Sequence, residues 1–180
     1  MNEDQDILEL LKNGNELSIP FKLIFERYHR KVYWHARRMV VDHDDADDIT
    51  QNIFIKIWNG ISSFKGEAKL SSWIFRISTN ETLNFIRSKK IRATFSFNDY
   101  ESVLSHKIDD SSVFTGSEIE RKLQKAILKL PAKQRQVFLL RYYDEMPYEK
   151  MAEVLNTSVG ALKASYHHAT TKVEKNLTSI

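Results

Sequence analysis

The sequence predicts an all-α fold made of two small helical domains joined by a flexible linker. Three observations point to it. Apolar residues recur at spacings of three and four through most of residues 19–92 and 118–177, the period of a helix with one buried face. The 180 residues include only 5 Gly and 3 Pro, fewer turn formers than an all-β chain normally uses. Residues 93–117 break the periodicity and are rich in Ser and Asp. A connection of that length inside one domain is unusual, so it marks the boundary. The expected organisation is an acidic N-terminal segment (1–18), a first domain (19–92), a linker (93–117) and a second domain (118–180).

Residues 19–41 read as a long helix, with Phe21, Phe25, Tyr28, Val32, Ala36 and Met39 at helical spacing. The run Asp42-His43-Asp44-Asp45 interrupts it and supplies N-cap acceptors and negative charge for a second helix. That helix carries Ala46, Ile49, Ile53 and Ile57 on one face and is expected to stop near Asn59-Gly60 in a left-handed turn. A loop over 60–70 follows. Ser71 or Ser72 is the expected cap of a third helix reaching to about Lys90, with Trp73, Ile74 and Ile77 inward. In the second domain Ile119, Leu123, Ile127 and Leu130 form a stripe ending at Pro131. Residues 134–143 form another helix, and Pro147 opens a short one with Met151, Ala152 and Leu155. Asn156-Thr157-Ser158 is a turn, and a final helix runs over 159–177 with Leu162, Tyr166, Ala169 and Val173 inward.

The formal net charge is +3 and there is no cysteine. The latter excludes disulfides, thiolate metal sites and cysteine nucleophiles. The acidic start lacks the basic opening of a signal peptide, and no apolar run approaches the ~20 residues that span a bilayer. A cytoplasmic protein is expected. Charge is segregated: residues 20–92 hold 14 bases and 8 acids, 119–180 hold 11 bases and 6 acids, while 93–118 hold 1 base and 5 acids. Two basic blocks around an acidic one suggest two modules that each meet a polyanion.

Three constellations carry chemistry. Residues 148–166 have the form of a helix-turn-helix. The small Ala152 permits a close helix crossing, and Asn156 tolerates the left-handed conformation a sharp turn needs. Its second helix would enter a major groove by its N-terminal end, offering Thr157, Ser158, Gly160, Ala161, Lys163, Ala164, His167 and His168. A plain αα-hairpin is the alternative. On the third helix, Arg76, Asn80, Asn84 and Arg87 share a face beside Trp73. Lys65 and Lys69 precede them, and Lys89, Lys90 and Arg92 follow. Amide and guanidinium groups on one face can hydrogen-bond bases and phosphates, although a solvated face with Trp73 in the core fits as well. The acidic run from Asp44 to Asn52 lacks the alternation and the Gly of a calcium loop. It reads as an acid-rich helix start, or as a face for a basic protein partner. No phosphate-cradling glycine loop or nucleophile elbow is present, so no enzyme, metal or cofactor is expected, and the six His are expected on surfaces or in grooves.

Four strings in this order, DADDITQNIFIKIW (45–58), FKGEAKLSSWIFRISTNETLNFIRSKK (64–90), ILKLPAKQRQVFLLRYYDEMPYEKMAEVL (127–155) and NTSVGALKASYHHA (156–169), resemble bacterial RNA polymerase sigma factors of the extracytoplasmic-function (ECF) type in the sigma-70 family. The resemblance covers roughly 20–92 and 119–177. It implies a region-2 domain whose acidic helix docks on the beta-prime clamp of core polymerase, through Asp45, Asp47, Asp48, Gln51, Asn52 and Phe54. It implies that Lys65, Lys69, Ser72, Trp73, Arg76, Asn80, Asn84 and Arg87 recognise and help melt the minus-ten promoter element. It further implies a region-4 domain that sets the 159–177 helix on the minus-thirty-five element while meeting the beta flap. An anti-sigma partner is expected from the resemblance alone. The sequence departs from the family in having few Arg on the recognition helix and Asn156 where Gly is common. The rival reading is a stand-alone helix-turn-helix regulator, which leaves the 45–52 and 73–87 faces without a role.

Overall fold

The computed structural model describes residues 4–14, 16–92, 108 and 118–178. Among the described residues there are eight α-helices and no strand. The first unit contains α1 (Gln5–Lys12), α2 (Ser18–Val40), α3 (His43–Ile61) and α4 (Leu70–Arg92). The second contains α5 (Glu118–Leu128), α6 (Ala132–Tyr142), α7 (Tyr148–Leu155) and α8 (Val159–Thr178). The expected linker lies outside the described residues apart from Ile108, which is buried with Val41 and Leu128.

Helix α1 was not anticipated, although Ile7, Leu8 and Leu11 sit at helical spacing. Ile7 is buried, and Leu8 and Leu11 pack beside it. Polar contacts fix the helix to α2. Arg27 donates to Asp4 and Asp6, and the buried Tyr28 hydroxyl donates to Asp4 at 2.8 Å. Hydrogen bonding from Arg27 holds the Asp6 carboxyl below its ordinary pKa.

The α2–α3 corner is tight. Val41 has φ +65° and ψ −37°, a costly conformation for a β-branched residue, and its side chain is buried at this corner. Asp42 caps α3 as expected, accepting from the Asp45 amide at 3.0 Å. The last four carbonyls of α2 lack intrahelical partners by construction, yet each is satisfied. Arg37 and Val40 accept from Val41 and Asp42 at 2.8 Å. Arg38 and Met39 accept from Gln124 and Arg135 of the second unit, at 3.0 and 2.9 Å.

Two expected boundaries move. Helix α3 does not stop in a left-handed turn at Gly60; it continues to Ile61, and the positive φ falls at Gly66 (+75°). Gly60 serves packing, since a Cβ there would lie 3.1 Å from the Trp73 ring. Neither Ser71 nor Ser72 precedes α4, which starts at Leu70; Ser72 is buried in its first turn. In α5 the apolar stripe begins at Leu123. Ile119 stands 74% exposed in the first turn.

The helix-turn-helix forms over α7 and α8. Asn156 adopts φ 48°, ψ 51°, and the Asn156 and Thr157 amides both donate to the Ala152 carbonyl. Ser158 accepts the Ala161 amide at 3.2 Å and so caps α8. A side chain branched at Cβ is penalised in this left-handed well by ~1–2 kcal/mol. Asn156→Val should therefore lower stability by about that amount in a denaturant titration, while Asn156→Gly stays near neutral. Equal stability of the two variants would refute the assignment of the turn.

The two units share a core. One apolar cluster runs from Ile24, Ile53 and Ile57 into Ile127, Leu130 and Phe138. A second surrounds the helix-turn-helix with Val137, Leu140, Met146, Met151, Val154 and Leu162, and takes in Phe75 from α4.

Candidate nucleic-acid interface

The outer face of α3 is built by period. Asp48, Gln51, Ile55 and Trp58 follow one another at three or four residues, Asn52 lies one turn on from Asp48 beside them, and all five are exposed, with Ile55 at 56% and Trp58 at 44%. Beside them, α2 and α3 enclose a groove of about 440 Å³ floored by Phe21, Phe25 and Phe54 and bordered by Gln51. Phe21 lies edge-on to Trp58 at 5.0 Å, and Phe25 to Phe54 at 4.8 Å. A large apolar surface left open beside acids and amides is the composition of a protein-binding surface. Sequence spacing set Phe25 on the apolar stripe of α2, yet it is 42% exposed at this groove, and it gave Ile55, Trp58 and His29 no binding role. The α3 stripe could have shown Ile55 and Trp58, because both fall off its inward face.

Not every expected acid is on this surface. Asp45 is buried and pairs with Lys89 of α4. Asp47 is half-buried, 3.4 Å from His43, and Phe54 is buried at the groove floor. The acidic run is thus divided among a cap, an ion pair and an exposed face. Among the described residues no group of three or more His, Asp or Glu is placed to hold a metal ion.

The basic α4 region divides in a similar way. Lys65 and Lys69 are exposed in the loop before it. Trp73 is half-buried, tilted on Phe64 at 5.1 Å, and walls a cleft of about 700 Å³ with Asn59, Lys65 and Arg76. Trp73 packs on the core and also borders an open cleft. Ser72 is buried and donates to Glu153 at 2.9 Å. Arg76 donates to the Glu153 carbonyl at 2.8 Å. Asn80, Asn84 and Arg87 are exposed at the edge of a cleft of about 470 Å³, whose opposite wall is Lys133, Gln136, Thr157 and Ala161. Gln136 is 3% exposed and its Nε2 has no hydrogen-bond partner among the described residues.

On α8, Gly160, Ala161, Lys163, Ala164, His167 and His168 are all exposed, with open space around Gly160. The Lys163 ammonium lies 5.8 Å from the Tyr148 ring centroid. Thr157 donates to the Leu155 carbonyl and Ser158 caps the helix, so both hydroxyls shape the turn. The expectation that every His lies on a surface or in a groove fails at His35. It is 1% exposed, its Nδ1 3.5 Å from Asp144 and its ring edge-on to Phe75. The reason is its place on the α2 face that meets the second unit, which the helical period alone does not mark as buried. His106 lies outside the described residues.

A basic, amide-bearing helix in one unit and an exposed helix-turn-helix in the other, with an open apolar groove beside acids and amides between α2 and α3, have the make-up of a two-part DNA-binding transcription factor that works with a protein partner. Comparison with known proteins names the group. Residues 24–91 match sigma-70 region 2, and residues 120–173 match sigma-70 region 4. The chain is 32% identical over 181 residues to the ECF RNA polymerase sigma factor SigW of Bacillus subtilis, covering 96% of each. It is 25% identical to the ECF RNA polymerase sigma-E factor of Escherichia coli K12, covering 97% of this chain and 94% of that one. Among solved structures, CnrH in complex with the cytosolic domain of CnrY aligns with a TM-score of 0.71 at 21% identity, over 98% of this chain and 97% of that one. The sigma factor RpoE in complex with the anti-sigma factor NepR from Bartonella quintana aligns with a TM-score of 0.66 at 22% identity, over 88% of this chain and 96% of that one. The chain belongs to the ECF RNA polymerase sigma factors of the sigma-70 family. A stand-alone helix-turn-helix regulator is not favoured, because it leaves the region-2 match unexplained. Among the described residues no helix is long and apolar enough to cross a membrane.

Proposed function

We propose that this sigma factor grips core RNA polymerase through the outer face of α3 and reads promoters with α4 and α8. The observation that carries the reading is the open apolar groove bordered by Gln51, Ile55 and Trp58, with Asp48 and Asn52 on the same stripe. Trp58 and Phe25 offer aromatic anchors of the sort that dominate interfaces. Asp48 adds a charge that steers a basic partner such as the beta-prime clamp. Asp45 and Asp47 act by positioning: Asp45 ties α3 to α4 through Lys89, and Asp47 faces His43.

The minus-ten element is taken by the loop from Lys65 to Lys69 and by α4. Lys65, Lys69, Arg76 and Arg87 meet phosphates, and Asn80 and Asn84 hydrogen-bond exposed base edges. The cleft beside Trp73 takes an unstacked base. Strand opening costs a few kcal/mol per extruded base, and capture of that base offsets part of it. The minus-thirty-five element meets the N-terminal end of α8, where Gly160, Ala161 and Ala164 allow close approach and Lys163, His167 and His168 supply polar contact. Thr157 and Ser158 hold the turn. Two weak contacts on one chain gain strength through effective concentration once polymerase holds both units. The protein acts in the cytoplasm as a non-enzymatic subunit and needs no cofactor. An anti-sigma partner completes the reading, since RpoE and CnrH were both solved bound to partners of that kind or to a partner's cytosolic domain.

In vitro transcription with core polymerase over a promoter library tests this reading. Specific initiation with the chain present and none without it is expected; failure to co-elute with core in gel filtration would refute it. Within that assay, Asn80→Ala should reduce open-complex formation more than closed-complex binding. Permanganate reactivity of the melted strand equal to that of the unaltered protein would contradict the α4 assignment.

A further inference from the structure

The cleft of about 470 Å³ between α4 and the second unit has the make-up of a small-molecule pocket. Its α4 wall carries Asn80, Asn84 and Arg87, and its α6 wall carries Lys133 and Gln136. Leu83, Val137, Leu155 and Leu162 form the apolar lining, and Thr157 and Ser165 add hydroxyls. Both charged groups of the described lining are cations, and no carboxylate lies among them. An apolar wall with a few convergent polar groups, at this volume, is the usual composition of a ligand site. Gln136 leaves it incomplete. The side chain is buried in α6, yet its Nε2 donates to nothing among the described residues. A buried amide without a partner destabilises a fold, and such groups are rare in native structures. A half turn of the amide presents either its donor or its acceptor end to the cleft, where a bound ligand would complete it.

We infer that this cleft is a binding site for a nucleoside monophosphate. Arg87 and Lys133 take the phosphate. The amides of Asn80, Asn84 and Gln136 take the polar edge of the base, and the leucine and valine side chains cover its face. Amide and guanidinium groups pair with base edges and phosphates whether these belong to a strand or to a free nucleotide. A bare inorganic anion would leave the apolar wall and the Gln136 amide unused. An uncharged nucleoside would leave the two cations unused. The consequence for promoters, though not the binding itself, rests on the assignment of α4 to the minus-ten element. A nucleotide seated in the cleft occupies Asn80, Asn84 and Arg87, so it opposes reading of that element.

Isothermal titration of the free chain with AMP, CMP, GMP and UMP, with their nucleosides and with inorganic phosphate tests the site. It needs neither polymerase nor promoter, so its outcome is independent of the functional reading. One-to-one binding of at least one monophosphate is expected, with its nucleoside and inorganic phosphate each weaker by about tenfold or more. Lys133→Glu should weaken the monophosphate by about tenfold. Gln136→Leu should weaken it as well, while its melting temperature without ligand holds or rises, because an apolar side chain of similar size replaces an unpartnered amide. In transcription with core polymerase, the added monophosphate should lower initiation by the unaltered chain more than by Gln136→Leu, a difference that effects on polymerase itself do not produce. No binding of any of the monophosphates, or equal binding by the unaltered chain and both variants, would overturn the site. Inorganic phosphate held as tightly as the nucleotide would overturn the ligand class. Equal inhibition of the unaltered and Gln136→Leu chains would overturn the opposition to promoter reading.

Discussion

Trp58→Glu should weaken association with core polymerase about 30-fold, measured by fluorescence anisotropy of a labelled chain, while its melting temperature changes little. Trp58 is 44% exposed and meets Phe21 at the mouth of the α2–α3 groove. A centrally placed aromatic of this kind commonly contributes 2 kcal/mol or more to an interface, and 2 kcal/mol is a factor of about 30 in affinity. Asp48→Lys, at the exposed edge of the same stripe, should act differently. A reversed rim charge lowers the association rate and changes its salt dependence more than it changes dissociation. Normal assembly by both variants would remove the α3 face as the polymerase contact.

Arg135→Met should have the largest effect on stability. The Arg135 guanidinium is buried in α6, 5% exposed, and donates to the carbonyls of Met39, Leu128 and Leu130. One side chain thereby holds the end of α2, the end of α5 and the α5–α6 turn. Hydrogen bonds from a charged donor contribute ~1.5–3 kcal/mol each, and truncation leaves buried carbonyls unpaired. A loss of about 3 kcal/mol is expected, partly offset by the methionine's apolar surface. For a chain of this size that lowers the melting temperature by roughly 6–12 °C. Arg135→Lys should recover little, because an ammonium lacks the planar fork that spans three acceptors. A melting temperature unchanged in both variants would show that the guanidinium does not join the units.

These residues show which parts of the structure were legible beforehand. The left-handed Asn156, the Asp42 cap and the inward stripes of α2, α3, α7 and α8 follow from local rules, in which a period or a cap depends on residues within one or two turns. The helix-turn-helix and the order of the four strings were readable for the same reason. Helix α1 was missed because eight residues carry a short apolar signal, fixed mainly by Asp4 and Asp6 reaching Arg27 from more than twenty positions away. Gly60 was misassigned because glycine marks both a left-handed stop and a close approach, and only the Trp73 ring distinguishes them.

The candidate surfaces divide in the same way. Spacing placed Asp48, Gln51 and Asn52 on one outward face, and Asn80, Asn84 and Arg87 on another. It could not show that Asp45 is taken by Lys89, that Ser72 and Arg76 turn to Glu153, or that His35 is buried against Phe75 and Asp144. By itself the sequence determined the helices, their inward faces, the division into two basic halves and the family to which those halves belong, because each is written in neighbouring residues. Only the tertiary structure decided which polar groups are spent inside the molecule and that the two halves close on one another. Those outcomes depend on side chains some forty to a hundred and ten positions apart, and no local period records such a meeting.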